Sequence, residues 1–323
     1  MFKNILFRAD SSSTIGTGHI MRDLVLAEQF KDANIIFATQ DLPGNINYKI
    51  KEKNYRIEIL NFNDIEELDS LIKELNIDMI VIDHYGIDYD FEKQLKIKNS
   101  TLKIMSLDDT YEKHHCDILL NHNVSANPTK YVKLVPENCE IRCGAKYTLL
   151  RNEFKVIKKI RGYISEKDTL TVFIAMGGAD HSNRNIDILE VINKIGNIKV
   201  NVVTTEANKH LKKLYAYIRE HENVSLHVNT DKIASLMNES DFAIVTPSVT
   251  VNEVLFMKLP FIAIQTVDNQ NEIAQYLEDT DFQVLRSFDV KALNDAVTTI
   301  MNPDDYNQTL LKIDKVLEKA TAS

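Results

Sequence analysis

Short β-rich runs alternate with amphipathic stretches along most of this 323-residue chain, and that rhythm restricts its fold more than any other feature. In the first half the β-rich runs fall at 4–9, 33–38, 55–60, 78–82, 102–107 and 117–120. Between them lie segments such as 19–30 and 64–75, with apolar residues at i, i+3 and i+4; Ile65, Leu68, Ile72 and Leu75 make one such stripe. The second half repeats the cadence, with strands expected at 170–175, 199–204, 224–228, 242–245 and 261–264. Its helices are expected at 185–195, 208–221, 232–237, 251–257 and 271–279. Alternation of this kind reads as βαβ units with a parallel sheet.

A chain of this length exceeds one ordinary core, so two domains are expected. The charged, sparsely apolar stretch 153–167 reads as a linker between a domain over 1–152 and another over 168–323. From Val290 onward two helical stretches divide near Pro303 and form a helical extension of the second domain. Two Rossmann-like α/β domains with a cleft between them is the architecture this predicts. In open parallel sheets ligands sit beyond the carboxyl ends of the strands, so the turns there are where chemistry is sought.

Composition narrows the function. Hydrophobic residues at 44% and charged residues at 26% are ordinary for a globular protein. No apolar run approaches the ~20 residues that cross a bilayer, and MFKNILFRAD breaks into charge too early for a secretory leader. A cytoplasmic location with no membrane partner is expected. A formal net charge of −9 argues against a nucleic-acid partner, yet helix-start N–H groups can hold a diphosphate without basic side chains. Cys116, Cys139 and Cys143 suit a reducing compartment. The tract His114-His115-Cys116 looks metal-binding, but it leads into a strand, where neighbours point to opposite faces. Cys139 and Cys143 have the wrong spacing for a zinc knuckle and read as core thiols, so no metal and no cofactor are expected.

The first turn is unusual. Between a strand ending near Ala9 and a helix starting near Gly18 lies DSSSTIGTGH, residues 10–19. Gly16 and Gly18 let backbone approach a ligand, and free N–H groups at the helix start favour anions. His19 then stands at the helix N-terminus, a position suited to a base. A glycine-rich turn with a histidine cap accounts equally for the same residues. The turn opening the second domain, Met176-Gly177-Gly178-Ala179-Asp180, has the same logic. Further on, Ser248, Val249 and Thr250 open a helix whose N–H groups suit phosphate, and Glu253 offers two oxygens to the vicinal diol of a ribose. Helix-dipole complementation explains Glu253 as well. Asn269 and Gln270, at the next helix start, offer amides to a sugar or simply cap that helix. In Ile82-Asp83-His84-Tyr85-Gly86, Tyr85 or His84 could line the cleft or be satisfied locally. Asp88-Tyr89-Asp90 has the D-x-D pattern of some metal-dependent transferases, but it opens a helix and reads better as a cap.

Taken together, FRADSSSTIGTGHIMRD (7–23), IDHYG (82–86), HHCDILLN (114–121), RCG (142–144), MGGAD (176–180), SVTVNE (248–253) and DNQN (268–271) resemble the UDP-2,4-diacetamido-2,4,6-trideoxy-β-L-altropyranose hydrolase family of pseudaminic acid biosynthesis. The resemblance runs over roughly the first 285 residues and is silent beyond them. It implies a GT-B-like fold, similar to glycosyltransferases, and hydrolysis of the anomeric C–O bond of a UDP-sugar with inversion. On that resemblance His19 matches the proposed catalytic base and Tyr85 lies beside the sugar. Glu253 corresponds to the ribose-binding glutamate, and Gly177, Gly178 and Ser248–Thr250 fall at the diphosphate. Asn269 lies near the sugar, and backbone around Val228 faces uracil.

The chemistry is consistent on its own terms. Cleavage at the anomeric carbon expels UDP, an already stabilised anion, so one base and a set of N–H donors suffice where ordinary glycosidases need two carboxylates. Three rivals share the same residues. A glycosyltransferase would put an acceptor in place of water, a hydrolysing 2-epimerase would exchange the C2 proton, and a sensor would bind without releasing UDP.

Overall fold

The computed structural model describes residues 2–157, 164 and 168–322, with the side chains of 319–322 excepted. The chain divides into two compact units, Met1–Leu150 and Arg151–Ser323. Most of the expected linker, 158–163 and 165–167, lies outside the described residues. Its beginning is not a bare tether. The short helix α5 (Asn152–Val156) has Phe154 fully buried, because one aromatic inside a charged stretch is enough to anchor it.

Unit 1 holds seven parallel strands: β1 (Asn4–Ala9), β2 (Asn34–Thr39), β3 (Arg56–Ile59), β4 (Met79–Asp83), β5 (Lys103–Leu107), β6 (Ile118–Asn121) and β7 (Glu140–Cys143). Their order is β3-β2-β1-β4-β5-β6-β7, so the chain reverses its direction of travel between β1 and β4. Alternation along β1 explains the two layers. Ile5, Phe7 and Ala9 face one core with α1 (Gly18–Ala27), while Leu6 faces the other with Ile80 and Ile82 of β4. That second core takes the helix α3 (Ile65–Glu74), which buries Leu68 and Ile72 of the expected stripe and packs Ile65 and the adjoining Leu75 at its margin. Asp64 caps α3 by accepting from Glu66 N at 2.7 Å and Glu67 N at 3.1 Å. The helix α4 (Tyr89–Lys98) is capped by Asp88, which accepts from Phe91 N, so the acidic D-x-D is a helix start.

Among the described residues unit 2 holds six parallel strands: β8 (Leu170–Ala175), β9 (Ile198–Thr204), β10 (Val224–Val228), β11 (Phe242–Val245), β12 (Phe261–Ile264) and β13 (Gln283–Leu285). The order β10-β9-β8-β11-β12-β13 puts the reversal between β8 and β11. Around this sheet lie α6 (Arg184–Ile195), α7 (Leu211–Arg219), α8 (Ile233–Glu239), α9 (Val249–Phe256) and α10 (Asn271–Asp279), then α11 (Val290–Met301) and α12 (Pro303–Ala322), divided at Pro303. Leu293, Val297 and Ile300 of α11 enter the main core of the unit, so the tail is part of this domain.

One buried polar knot in unit 1 has a pH consequence. Glu92, on α4 and fully buried, accepts from Ser106 Oγ at 2.6 Å, from His114 Nδ1 at 2.8 Å and from His115 N. Burial works against a charged His114, but the Glu92 carboxylate outweighs it and raises the histidine above its ordinary value. A histidine raised on folding stabilises fully below its unfolded value of about 6.5, and that contribution fades as pH rises through the folded value. His114→Gln is therefore expected to lower the urea midpoint more at about pH 6 than at about pH 9. Equal losses at both would mean His114 is neutral when folded.

Candidate active site

In each unit most of the turns that carry the candidate residues lie where strand order reverses, where an open parallel sheet leaves a crevice between diverging loops. In unit 1 that crevice lies between β1, which leads into α1 and His19, and β4, which ends on Asp83. His19 is buried, and its Nδ1 lies 2.7 Å from Asp83 Oδ1 and 3.1 Å from the Asp83 carbonyl oxygen. An ionised carboxylate and a carbonyl only accept, so Nδ1 carries the proton and Nε2 keeps the lone pair of the neutral ring. Arg22, one helical turn on, donates Nε–H to Asp83 Oδ2 at 2.6 Å and Nη2–H to Asp83 Oδ1. Burial opposes a charged Asp83, yet Arg22 and His19 hold its carboxyl well below the usual carboxylate range. Asp83 is thus an ionised group that fixes which nitrogen of the His19 ring carries the proton when the ring is neutral.

Tyr85 stands edge-on to His19, ring centroids 4.9 Å apart at 88°. Its ring is largely exposed, but its hydroxyl end donates to Asp109 Oδ1 at 2.9 Å. Desolvation of that end and the Asp109 charge push the phenol above its ordinary value, so it stays neutral. His84 is turned away: Gly86 N–H donates to its Nδ1 at 2.9 Å, and its Nε2 meets Asp10 Oδ2 at 3.1 Å. Asp10 also takes a two-pronged contact from fully buried Arg8, both at 2.8 Å, and Gln40 N at 2.7 Å, which ties the first turn to the ends of β2 and β4. His84 is structural.

The turn before His19 closes on itself. Ser12 Oγ accepts from Thr14 N and Ile15 N, and Gly16 N donates to the Ser12 carbonyl at 2.9 Å. Gly16 needs its positive φ of 86° to do this. A Cβ added at Gly18 meets nothing within 4 Å, so the backbone at the α1 N-terminus faces open space.

In unit 2 the crevice brings together the turn after β8 and the turn after β11, strands that pair through Ala175 and Val245. Gly177 takes φ +78° with open space where a Cβ would stand, whereas Gly178 fits against Thr205 and its carbonyl accepts from Thr204 Oγ1 and Thr205 Oγ1, both at 2.9 Å. Asp180 accepts from Arg184 N at 2.8 Å and Asn185 N at 3.1 Å, so the start of α6 already holds a carboxylate. The start of α9 holds none: Ser248 makes no side-chain cap, its Oγ meets Thr246 Oγ1 at 3.1 Å, and no acidic residue occupies the first turn. The N–H groups of Val249 and Thr250, in the first turn of α9, have no intrahelical acceptor. Glu253, a turn further on, pairs with Arg151 Nη2 at 2.9 Å, and Arg151 also holds Glu153 at 2.7 Å. Burial raises the Glu253 carboxyl while Arg151 opposes it. In the turn after β12 Asn269 is exposed, but Gln270 turns inward and its Oε1 accepts from Thr266 N at 2.8 Å.

Asp83, Arg22 and Asp109 had no role in the sequence reading. Spacing held a weak signal for Arg22 alone, which stands three residues after His19 on one face of α1.

Two parallel sheets of this order, each with its crevice at a strand reversal, define the fold of the GT-B glycosyltransferases. MurG of Acinetobacter baumannii superposes with a TM-score of 0.66 at 14% identity over 99% of both chains. The spinosyn rhamnosyltransferase SpnG gives 0.69 at 10% identity, over 98% of this chain and 96% of that one. The sequence is more specific than the fold. A protein of Campylobacter jejuni named UDP-2,4-diacetamido-2,4,6-trideoxy-β-L-altropyranose hydrolase is 42% identical over 280 residues, covering 87% of this chain and 98% of its own length. The chain belongs to that hydrolase family. The spore coat polysaccharide biosynthesis protein SpsG of Bacillus subtilis is 21% identical over 84% of this chain and 80% of its own. No protein-family model matches the chain.

Proposed function

We propose that this chain hydrolyses the anomeric C–O bond of a UDP-linked 2,4-diacetamido-2,4,6-trideoxy sugar, releasing UDP and the free sugar with inversion. The observation that carries the reading is His19, whose Nδ1–H is committed to Asp83 so that Nε2 is the basic atom. Nε2 takes a proton from water as the oxygen bonds to C1 and the C1–O bond to UDP breaks. UDP leaves with the electron pair and needs no acid. Gly177, Gly178 and the α9 N–H groups of Ser248–Thr250 hold the diphosphate, since α9 begins with unclaimed donors and α6 does not. Gly16 and Gly18 leave room at the α1 start for the substrate, Tyr85 packs against the sugar, and Asn269 reaches its substituents. Glu253 takes the ribose hydroxyls with Arg151 holding it in place. Gln270 supports its loop through Thr266 and contributes by shape.

The reaction is proposed as metal-independent and cytoplasmic. Among the described residues no helix is long and apolar enough to cross a membrane. With UDP-2,4-diacetamido-2,4,6-trideoxy-β-L-altropyranose in ¹⁸O-water and excess EDTA, turnover is expected to persist and the label to enter the sugar. Label in UDP would move the attack to phosphorus, loss of turnover restored by magnesium would bring in a metal, and deuterium at C2 from heavy water would favour the epimerase chemistry.

A further inference from the structure

His19 sits in a network of charged and titratable groups: Asp83, Arg22 and Tyr85 touch it, and Asp109, Asp23 and His122 act on those in turn. From α1 come Arg22 and Asp23; from the end of β4 and its loop, Asp83, His84 and Tyr85; after β5, Asp109; after β6, His122. Arg22 joins two of them. Besides its paired contact with Asp83, its Nη1 donates to Asp109 Oδ2 at 2.9 Å, and its Nη2 lies 3.5 Å from His19 Nδ1. Asp83 and Asp109 are both ionised: burial works against each, and Arg22 outweighs it. Asp23, His122 and Tyr85 are neutral. Asp23 is fully buried with neither side-chain oxygen hydrogen-bonded, and burial with the Asp83 charge pushes its carboxyl far above the usual range. His122 is buried, and burial with Arg22 pulls it down to about 3. Tyr85 keeps its phenolic proton, and His84 is spent on Asp10. One guanidinium therefore faces two carboxylates.

We propose that Arg22 and Asp109 are positioning residues that set the charge around His19, leaving one excess negative charge for the imidazolium formed in the reaction to cancel. The proposal rests on His19 as the base. With both carboxylates but no guanidinium the pocket would hold two excess charges, and His19 would carry its proton before water arrived. With the guanidinium but no Asp109 charge the pocket would already be neutral, and nothing would draw the proton in. Arg22 also holds Asp83 to His19 on one side and Asp109 to Tyr85 on the other, so one buried side chain sets both.

The two charges act with opposite sign, which separates this role from a merely structural one. In Arg22→Gln the acid limb of the kcat–pH profile is expected to move to higher pH, and in Asp109→Asn to lower pH, each by about one unit or more. Asp109 is partly exposed and its amide still accepts from Tyr85, so Asp109→Asn is the variant expected to fold without difficulty. The same opposite movements are expected in the His19 ring signals followed by NMR titration of the free protein. Shifts in the same direction, or lost activity with no shift in either readout, would overturn the proposal. The NMR readout uses no substrate, so it stands apart from the function: if His19→Asn still turns over normally, the base assignment fails, and the titrations still report whether the two charges act on His19.

Discussion

Replacing His19 by Asn is expected to lower kcat by at least about 10²-fold, the usual worth of a positioned general base. UDP affinity, read by calorimetry, should change little, because the donors assigned to the diphosphate are backbone N–H groups of the other unit. Water must lose a proton as it attacks, and few groups beside the α1 start can take it. Tyr85 is neutral, with its hydroxyl pledged to Asp109. His84 has one nitrogen filled by Gly86 N–H and the other on Asp10. Asp83 already accepts from His19 and from Arg22 twice, and Asp23 lies fully buried behind them. Asn keeps polarity and approximate size but has no lone pair basic enough to serve. A variant with near-normal turnover would remove His19 from the chemistry. One that no longer binds UDP would make it part of the phosphate cradle instead.

The parallel sheets were legible because buried strands such as MIVID and FAIV carry unbroken apolar runs between amphipathic helices. Of the four edge strands, β3 and β10 were legible and β7 and β13 were not. β7 (EIRC) and β13 (QVL) are four and three residues long and only partly buried, too short for any pattern to stand out, so their pairing partners identify them better than their composition does. The short helix α2 (Asn47–Glu52) escaped for a similar reason, with Ile50 its one buried apolar residue and no stripe to show. At the site, position was legible and partnership was not. His19 and Tyr85 stand at a turn and a strand end that a Rossmann-like reading singles out, and they do meet. Arg22 and Asp23, in the run GHIMRDLVLA, pass as the solvent face of an amphipathic helix. Arg22 is buried because Asp83 and Asp109 arrive from residues about sixty and ninety further along. Helix periodicity assigns a polar residue to water unless the fold supplies it with a partner.

Asp83→Asn is expected to lower kcat by about 10²–10⁴-fold, nearly as much as losing His19 itself. The carboxylate accepts from three donors, His19 Nδ1–H, Arg22 Nε–H and Arg22 Nη2–H. An amide offers one oxygen and one NH₂ in the same space. If the NH₂ faces His19, the ring must accept at Nδ1 and carry its proton on Nε2, which removes the basic atom. If it faces Arg22, a buried donor meets a donor, and a pair that held the guanidinium is broken at a cost of about 3–5 kcal/mol. Melting measured alongside activity separates the two, since only the second loses much stability. Because Asp83 acts through His19, the two changes should not multiply, and His19→Asn/Asp83→Asn should turn over about as slowly as His19→Asn alone. Multiplicative losses would give Asp83 a part of its own in the reaction, and an Asp83→Asn enzyme of near-normal rate would show that His19 needs no orienting carboxylate.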